Sequence, residues 1–160
     1  MKHVVFAENT GRKSAGTAKN MIYSGSFWPI VDLSKMRQEA RITDTVTASR
    51  LYYAATAAVA YVNAQLAEFA AEKEAAGISS LSGIGGGQIN GIAVVEHHYL
   101  RAVYSYTKSE LLETYADYDA TGKTAERAEA KQEAADDYRR EAHAAIADIK
   151  GRRRVDSELI

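Results

Sequence analysis

The stretch from Thr47 to Ala76 constrains this chain most, because it reads as one long amphipathic helix. Leu51, Ala55, Ala58, Val62, Leu66 and Phe69 recur at three- and four-residue steps, which places them on one face. Thr47 is the N-cap candidate, since its hydroxyl can accept from an orphaned N–H of the first turn. Gly77 is the matching stop, being able to take the left-handed conformation that closes a helix. At 1.5 Å per residue such a helix is about 45 Å long. That is more than a chain of 160 residues needs to span its own core. The helix then overhangs, or packs its far end on something else, and either outcome points to a component of an assembly.

The length suffices for one domain with a core, or a domain with arms. A hydrophobic share of 46% excludes disorder by composition, although much of it is alanine, which buries little area. The net charge of −1 and a pI of about 6.4 give no bulk attraction to nucleic acid, so any such contact has to come from a local patch. The absence of cysteine excludes disulfides, thiolate zinc sites and a cysteine nucleophile, and fits a reducing compartment. Lys2 is followed by no apolar run of signal-peptide length, and no segment reaches the length of a membrane span. A soluble protein made in a cytoplasm is the expectation.

Ahead of the long helix, Val4, Val5 and Phe6 suggest a short strand. Asn9 to Gly25 is rich in Gly, Ser, Thr, Asn and Lys without periodicity. It reads as an arm, either a frayed terminus with no role or a segment that orders on a partner. Phe27, Trp28, Pro29 and Ile30 form an apolar knot holding the only Pro and the only Trp, with Pro29 forcing an extended approach at Trp28. The knot is assigned as the anchor that pins the arm. Asp32 or Ser34 can cap a short helix to about Ala40, and Thr43, Asp44 and Thr45 turn into the long one.

Gly77 to Gly91 is the main break, with Ser79, Ser80, Ser82, Gly83, Gly85, Gly86 and Gly87. A phosphate loop would need a Lys after the glycines, and a dinucleotide fingerprint would need a preceding strand; neither is present. The stretch reads as a flexible connection between helices. Asn90 is expected to cap a second helix to about Ala116, with Ile92, Val95, Tyr99, Ala102, Val103, Tyr106 and Leu112 inward. Asp117 to Gly122 reads as a turn. Thr124 opens a third helix to about Lys150, with Ala125, Ala128, Ala135, Tyr138, Ala142, Ala145, Ile146 and Ile149 inward and Gly151 closing it. Its outer face is charged, and Asp136 is set to pair with Arg140 at i,i+4. No strand pattern competes after residue 10. The fold class is therefore all-α: a bundle of three long helices plus a short one, with extended N- and C-terminal arms. The division is an arm at 1–26, a helical domain at 27–151 and an arm at 152–160. Alanine-lined helices remove little apolar area from water, so such a thin bundle gains stability by packing on copies of itself.

Catalytic chemistry is hard to place. Of His3, His97, His98 and His143, only the adjacent His97–His98 pair follows an acid, Glu96, and adjacent residues on a helix point to different sides, unlike the HExxH zinc pattern. Asp117 and Asp119 suit a turn, and Asp136 and Asp137 an exposed face, rather than a half-buried acid–base pair. No enzyme, cofactor or metal is expected. Ten tyrosines are more than a narrow core absorbs; Tyr52, Tyr53, Tyr61, Tyr99, Tyr104, Tyr106, Tyr115, Tyr118 and Tyr138 are nine of them. Tyrosine suits protein interfaces, and Tyr52 and Tyr104 are assigned to a second subunit. Arg152, Arg153 and Arg154 suit phosphate or an acidic protein surface, or equally a solvated basic helix end.

Four stretches in this order carry a resemblance: FWPIVDL at 27–33, RITDTVTASRLYYAATAAVAYVNAQLAEF at 41–69, YLRAVYSYTKSELLETYADYDATGKTAE at 99–126 and DDYRREAHAAIADIKGRRRVDSELI at 136–160. Over about residues 25 to 160 the chain resembles the head completion (head-stabilisation) family of P2-like tailed bacteriophages. The resemblance implies a non-enzymatic, all-helical head-tail connector of the virion neck, assembled in the host cytoplasm. It implies a ring of copies, dodecameric to match the portal, that sits under the portal after packaging, seals the head and offers a docking face to the neck or tail. The implied partners are the portal protein, the neck and tail terminator proteins and the chain itself, with packaged DNA near the lumen and no membrane. The GIGGG linker and the arm 1–26 are not carried over. Arg152, Arg153, Arg154 and Val155, with Leu159 and Ile160 as apolar plugs, are assigned to the portal, and the Gly83–Gly91 loop to the lumen or a tail-side partner. The alternative, a small helical DNA-packaging protein like a terminase small subunit, lacks positive charge and helix-turn-helix spacing.

Overall fold

The computed structural model describes residues 20–120 and 125–151. Strand β1 (Met21–Ile22) pairs antiparallel with β2 (Val31–Asp32), Met21 opposite Asp32 and Ile22 opposite Val31. Helices α1 (Leu33–Glu39), α2 (Ala48–Gln65) and α3 (Ala67–Ala75) follow. After a 3-10 turn at Leu81–Gly83, β3 (Gln88–Ile89) and β4 (Ile92–Ala93) form a second ribbon. Helices α4 (Val94–Ala120) and α5 (Ala125–Ile149) complete the chain. The fold is mostly helical, and the expectation that no strand occurs after residue 10 gives way to these two small ribbons.

Helix α4 is the central rod. It packs most extensively on α5 and also on α2. Residues 102–105 are buried on every side, as only a helix covered from more than one direction can be. The stripes read from sequence supply much of the core. Leu51, Ala55, Ala58, Val62 and Leu66 are buried, as are Tyr99, Ala102 and Val103, and Ala135, Ala142, Ala145, Ile146 and Ile149. Phe69, Ile92, Val95, Tyr106, Leu112, Ala128 and Tyr138 are half-buried. The polar Ser105, Thr107 and Ser109 are buried on α4 as well, and Thr107 satisfies its hydroxyl on the Val103 carbonyl at 2.7 Å.

Helix ends follow local chemistry. Asp32, not Ser34, caps α1, accepting from Ser34 N–H at 2.8 Å and Lys35 N–H at 3.2 Å. Thr47 caps α2 through Arg50 N–H at 3.3 Å. Gly77, at φ +87°, closes α3 with Gly77 N–H on the Glu74 carbonyl and Ile78 N–H on the Lys73 carbonyl, the paired bonds of a Schellman motif.

Four expectations need correction. The unbroken Thr47–Ala76 helix is two helices that meet at Leu66, where ψ rises from its helical value to 5° and the N–H is shared between the Val62 and Asn63 carbonyls. Leu66 is fully buried, and Asn63 is held by Ser24 and Tyr99, so tertiary packing sets a break the capping pattern does not show. Asn90 caps no helix. With Gly91 it makes the two-residue turn of the β3–β4 hairpin, at φ +51° and +77°, the mirror-image turn that Asn-Gly favours, and α4 starts only at Val94. No turn starts at Asp117, because α4 runs on through Ala120 with no glycine until Gly122. Asp136 pairs with Arg139 at 3.5 Å, not with Arg140, because Arg139 also reaches Glu113 of α4 at 2.5 Å; Arg140 pairs with Asp137 instead. The Val4–Phe6 strand, the Thr124 helix start and the arm at 152–160 lie outside the described residues.

Candidate interaction surfaces

The 27–30 knot divides between inside and outside. Phe27 is buried and meets Trp28 edge-on at 4.9 Å, and Trp28 stacks on Tyr99 at 5.4 Å. Tyr99 donates to Asn63 Oδ1 at 2.7 Å, and Asn63 Nδ2 donates to Ser24 Oγ at 3.1 Å. Leu81 N–H donates to the Phe27 carbonyl at 2.8 Å, tying the loop after α3 to the same point. Pro29 is half-buried, and Ile30 is 56% exposed. The residues just before the knot are also attached: Leu33 N–H donates to the Asn20 carbonyl at 2.8 Å. Burial pushes the Tyr99 pKa up to about 12, against the opposing pull of its bonds to Ser24 and Asn63.

Two cations build a second feature. Arg37 of α1 donates to the Thr43 and Val46 carbonyls, each at 2.9 Å. Lys108 of α4 donates to the Ala40 carbonyl at 2.7 Å and the Arg41 carbonyl at 2.9 Å. Together they clamp the 40–46 loop across the end of α1, where free carbonyls favour a cation. Arg41 sits at φ +50°, a conformation that costs a side-chain-bearing residue energy and that the clamp holds in place. Burial, and secondarily Arg41, draw the Lys108 pKa below its ordinary value.

The clamped loop walls a cavity of about 270 Å³ against α4 and α5. Its floor is apolar, with Ile42, Val46, Leu111, Leu112 and Tyr115. Its cations are Arg41, Lys108 and Lys131, and among the described residues that line it there is no carboxylate. Lys131 Nζ lies 5.8 Å from the centre of the Tyr115 ring. An adjoining groove of about 560 Å³ shares Arg41 and Lys108 and adds Tyr104, Glu39 and Glu141. Sequence reasoning missed both cations, and no local pattern marks them: a Lys on an amphipathic helix and an Arg on a short one are ordinary surface residues until the fold brings carbonyls to them.

The two tyrosines assigned to a subunit interface part company. Tyr52 is 45% exposed on α2 beside Tyr53, which is 79% exposed. Tyr104 is 9% exposed and lines the groove of its own chain. Its pKa is pushed up to about 12 by burial first, then by Glu39 and Asp32. Tyr61 stacks on Tyr106 at 4.2 Å and shares a hydrogen bond with His143 at 2.9 Å, tying α2, α4 and α5 together. His97 bonds the Ile89 carbonyl at 3.2 Å, and Arg101 pairs with Asp148 at 2.6 Å. Among the described residues no group of His, Asp or Glu converges to hold a metal ion, and no helix is long and apolar enough to cross a membrane. The hairpin loop is exposed from Gly85 to Gly91. Arg152, Arg153, Arg154, Val155, Leu159 and Ile160 lie outside the described residues.

Comparison with known proteins gives one consistent result. Residues 22–160 match the family model described as Phage head completion protein (GPL). The chain is also similar to the Head completion/stabilization protein of Escherichia phage P2, at 31% identity over 128 residues, covering 80% of this chain and 76% of that protein. No solved structure matches.

Proposed function

The chain belongs to the phage head completion protein family, and from that premise we propose that copies of it assemble as a ring against the portal, close the DNA-filled head and present a face to the neck and tail. The role is structural and needs no bond-making chemistry. The observation that carries the ring is the outer face of α2. From Leu51 to Ala67 the chain has no charged residue, yet Tyr52, Tyr53, Thr56, Ala57, Ala60 and Ala64 are exposed. Depletion of charge together with exposed tyrosine is the signature of an interface core. Tyr52 belongs to this face and Tyr104 does not. The packaging-protein alternative has no feature of the fold in its favour.

Sedimentation with purified portal is the direct test. The chain is expected to co-sediment as a ring, and Tyr53→Glu, which places a charge in the centre of the face, is expected to reduce ring occupancy at least about tenfold. Undiminished occupancy in that variant would reject α2 as the contact. A salt-dependent shift of DNA with no portal binding would reject the connector role itself.

A further inference from the structure

We infer that the β1–β2 ribbon shares one continuous contact surface with the outer face of α2, and that a neighbouring copy of this chain covers both; the inference rests on the ring reading above. The register puts the apolar side chains there. Met21 pairs with Asp32 and Ile22 with Val31, so one step further Tyr23 stands opposite Ile30. Opposite residues of an antiparallel pair point to the same side, and successive ones alternate. Ile22 and Val31 accordingly turn inward and are buried, whereas Met21, Tyr23 and Ile30 turn outward, Tyr23 with 69% of its surface exposed. No charged residue stands between Lys19 and Asp32, in a chain that is 26% charged. The outer side of the ribbon therefore has the composition already seen on α2, exposed aromatic and apolar residues without charge.

Two contacts lay this ribbon along α2. Asn20 lines a small cavity with Ala48 and Leu51, in the first turn of the helix. Ser24 accepts from Asn63 Nδ2 at 3.1 Å, in its last turn. The first strand thus runs beside α2 in the same direction. Tyr52, Thr56, Val59 and Asn63 recur at three- and four-residue steps, so Tyr52 and Thr56 lie on the edge of α2 that meets β1. Of the six large apolar residues exposed among the described residues, five lie on this ribbon or on α2, and only Ile89 is elsewhere. Area argues for the union. The outer half of an 18-residue helix, about 27 Å long and about 10–12 Å across, presents roughly 500 Å², against about 800 Å² per partner in a stable interface. On its own α2 falls short, and the ribbon is the adjoining uncharged surface that extends it. The chain's own sequence offers no nearby cover: residues 8–19, which lead into β1, hold no aromatic side chain and no aliphatic one larger than alanine.

The test places photoreactive p-benzoylphenylalanine at Tyr23 or, separately, at Tyr53 of the full chain, mixes light with isotopically heavy chains, and assembles them on portal with ring formation followed by sedimentation. Cross-links joining light to heavy chains are expected from both positions. Tyr23→Glu is expected to lower ring occupancy at least about tenfold, and Tyr23→Phe to leave it unchanged, with the same helical circular dichroism in both. Links to a neighbour from position 53 but not from 23, links from 23 only to portal or within its own chain, or full ring occupancy in Tyr23→Glu would each overturn the inference and leave the ring reading standing. Rings in which neither position reaches a neighbour would overturn the inference together with α2 as the contact. Failure of the unaltered chain to form a ring would overturn the ring reading, and the inference with it.

Discussion

Lys108 shows how much one side chain can decide. It joins α4 to carbonyls of residues nearly seventy positions earlier, and its ammonium is drawn in from water to do so. Lys108→Met keeps the stem and removes both bonds, leaving two carbonyls of a strained loop without their cation. A loss of about 1.5–3 kcal/mol is expected in urea unfolding, the range for hydrogen bonds to a charged group. Tyr99 gives a pH prediction. Its folded pKa, raised to about 12, lies above the unfolded value near 10, so the fold favours the neutral phenol. That stability is fully present below pH 10 and is lost as pH rises from 10 toward 12. The thermal midpoint should fall across that window. Lys108 works in the opposite sense, its lowered pKa returning some stability as it deprotonates. Tyr99→Phe should therefore lessen the alkaline fall, Tyr104 keeping a share of the same sign, while costing about 1 kcal/mol at neutral pH through the lost Asn63 bond.

At the scale of elements, two kinds of signal behaved differently. Caps and stops at Asp32, Thr47 and Gly77 depend on a few adjacent atoms and could be read locally. Asn90-Gly91 is just as local and carries the strongest short hairpin signal, but Asn is also a helix cap, and with flanking strands of two residues no alternation was there to break the tie. Gly91→Ala, at φ +77°, is expected to cost about 1–2 kcal/mol confined to the ribbon, seen as faster hydrogen exchange at residues 88–93 with unchanged helical circular dichroism. On α5, Ala142 is fully buried and helps the helix approach α4 closely. Ala142→Leu should overpack the seam and lower stability by about 1–3 kcal/mol in chemical denaturation.

The whole molecule is organised from the inside out by α4. Flanked by α5 and α2, its middle residues have the least access to solvent, while α3 buries little beyond Ala70. Native-state hydrogen exchange should therefore be slowest at Ala102 and Val103, intermediate in α2 and α5, and fastest in α3; a protected α3 in the isolated chain would contradict this layering. The same layering leaves the uncharged outer face of α2 as the surface with most to gain from a copy of the chain. Burial inside and exposure outside are thus complementary: the apolar surface that α4 does not cover lies on the outer face of α2, where the proposed ring would place a neighbouring copy.

Periodicity and capping chemistry by themselves determined that this is a helical chain, where α1, α2 and α5 begin or end, and which alanines and aliphatics face inward, because those features depend on neighbours three or four residues apart. Tertiary structure alone decided the break at Leu66, the burial of Tyr104 with the exposure of Tyr53, and the cavity beneath the clamped loop. Each of these depends on groups far apart in sequence: Asn63 meeting Ser24 and Tyr99, and Lys108 finding the carbonyls of Ala40 and Arg41. A carbonyl has no sequence signature, so a site built by cations on backbone oxygens becomes visible only once the chain is folded.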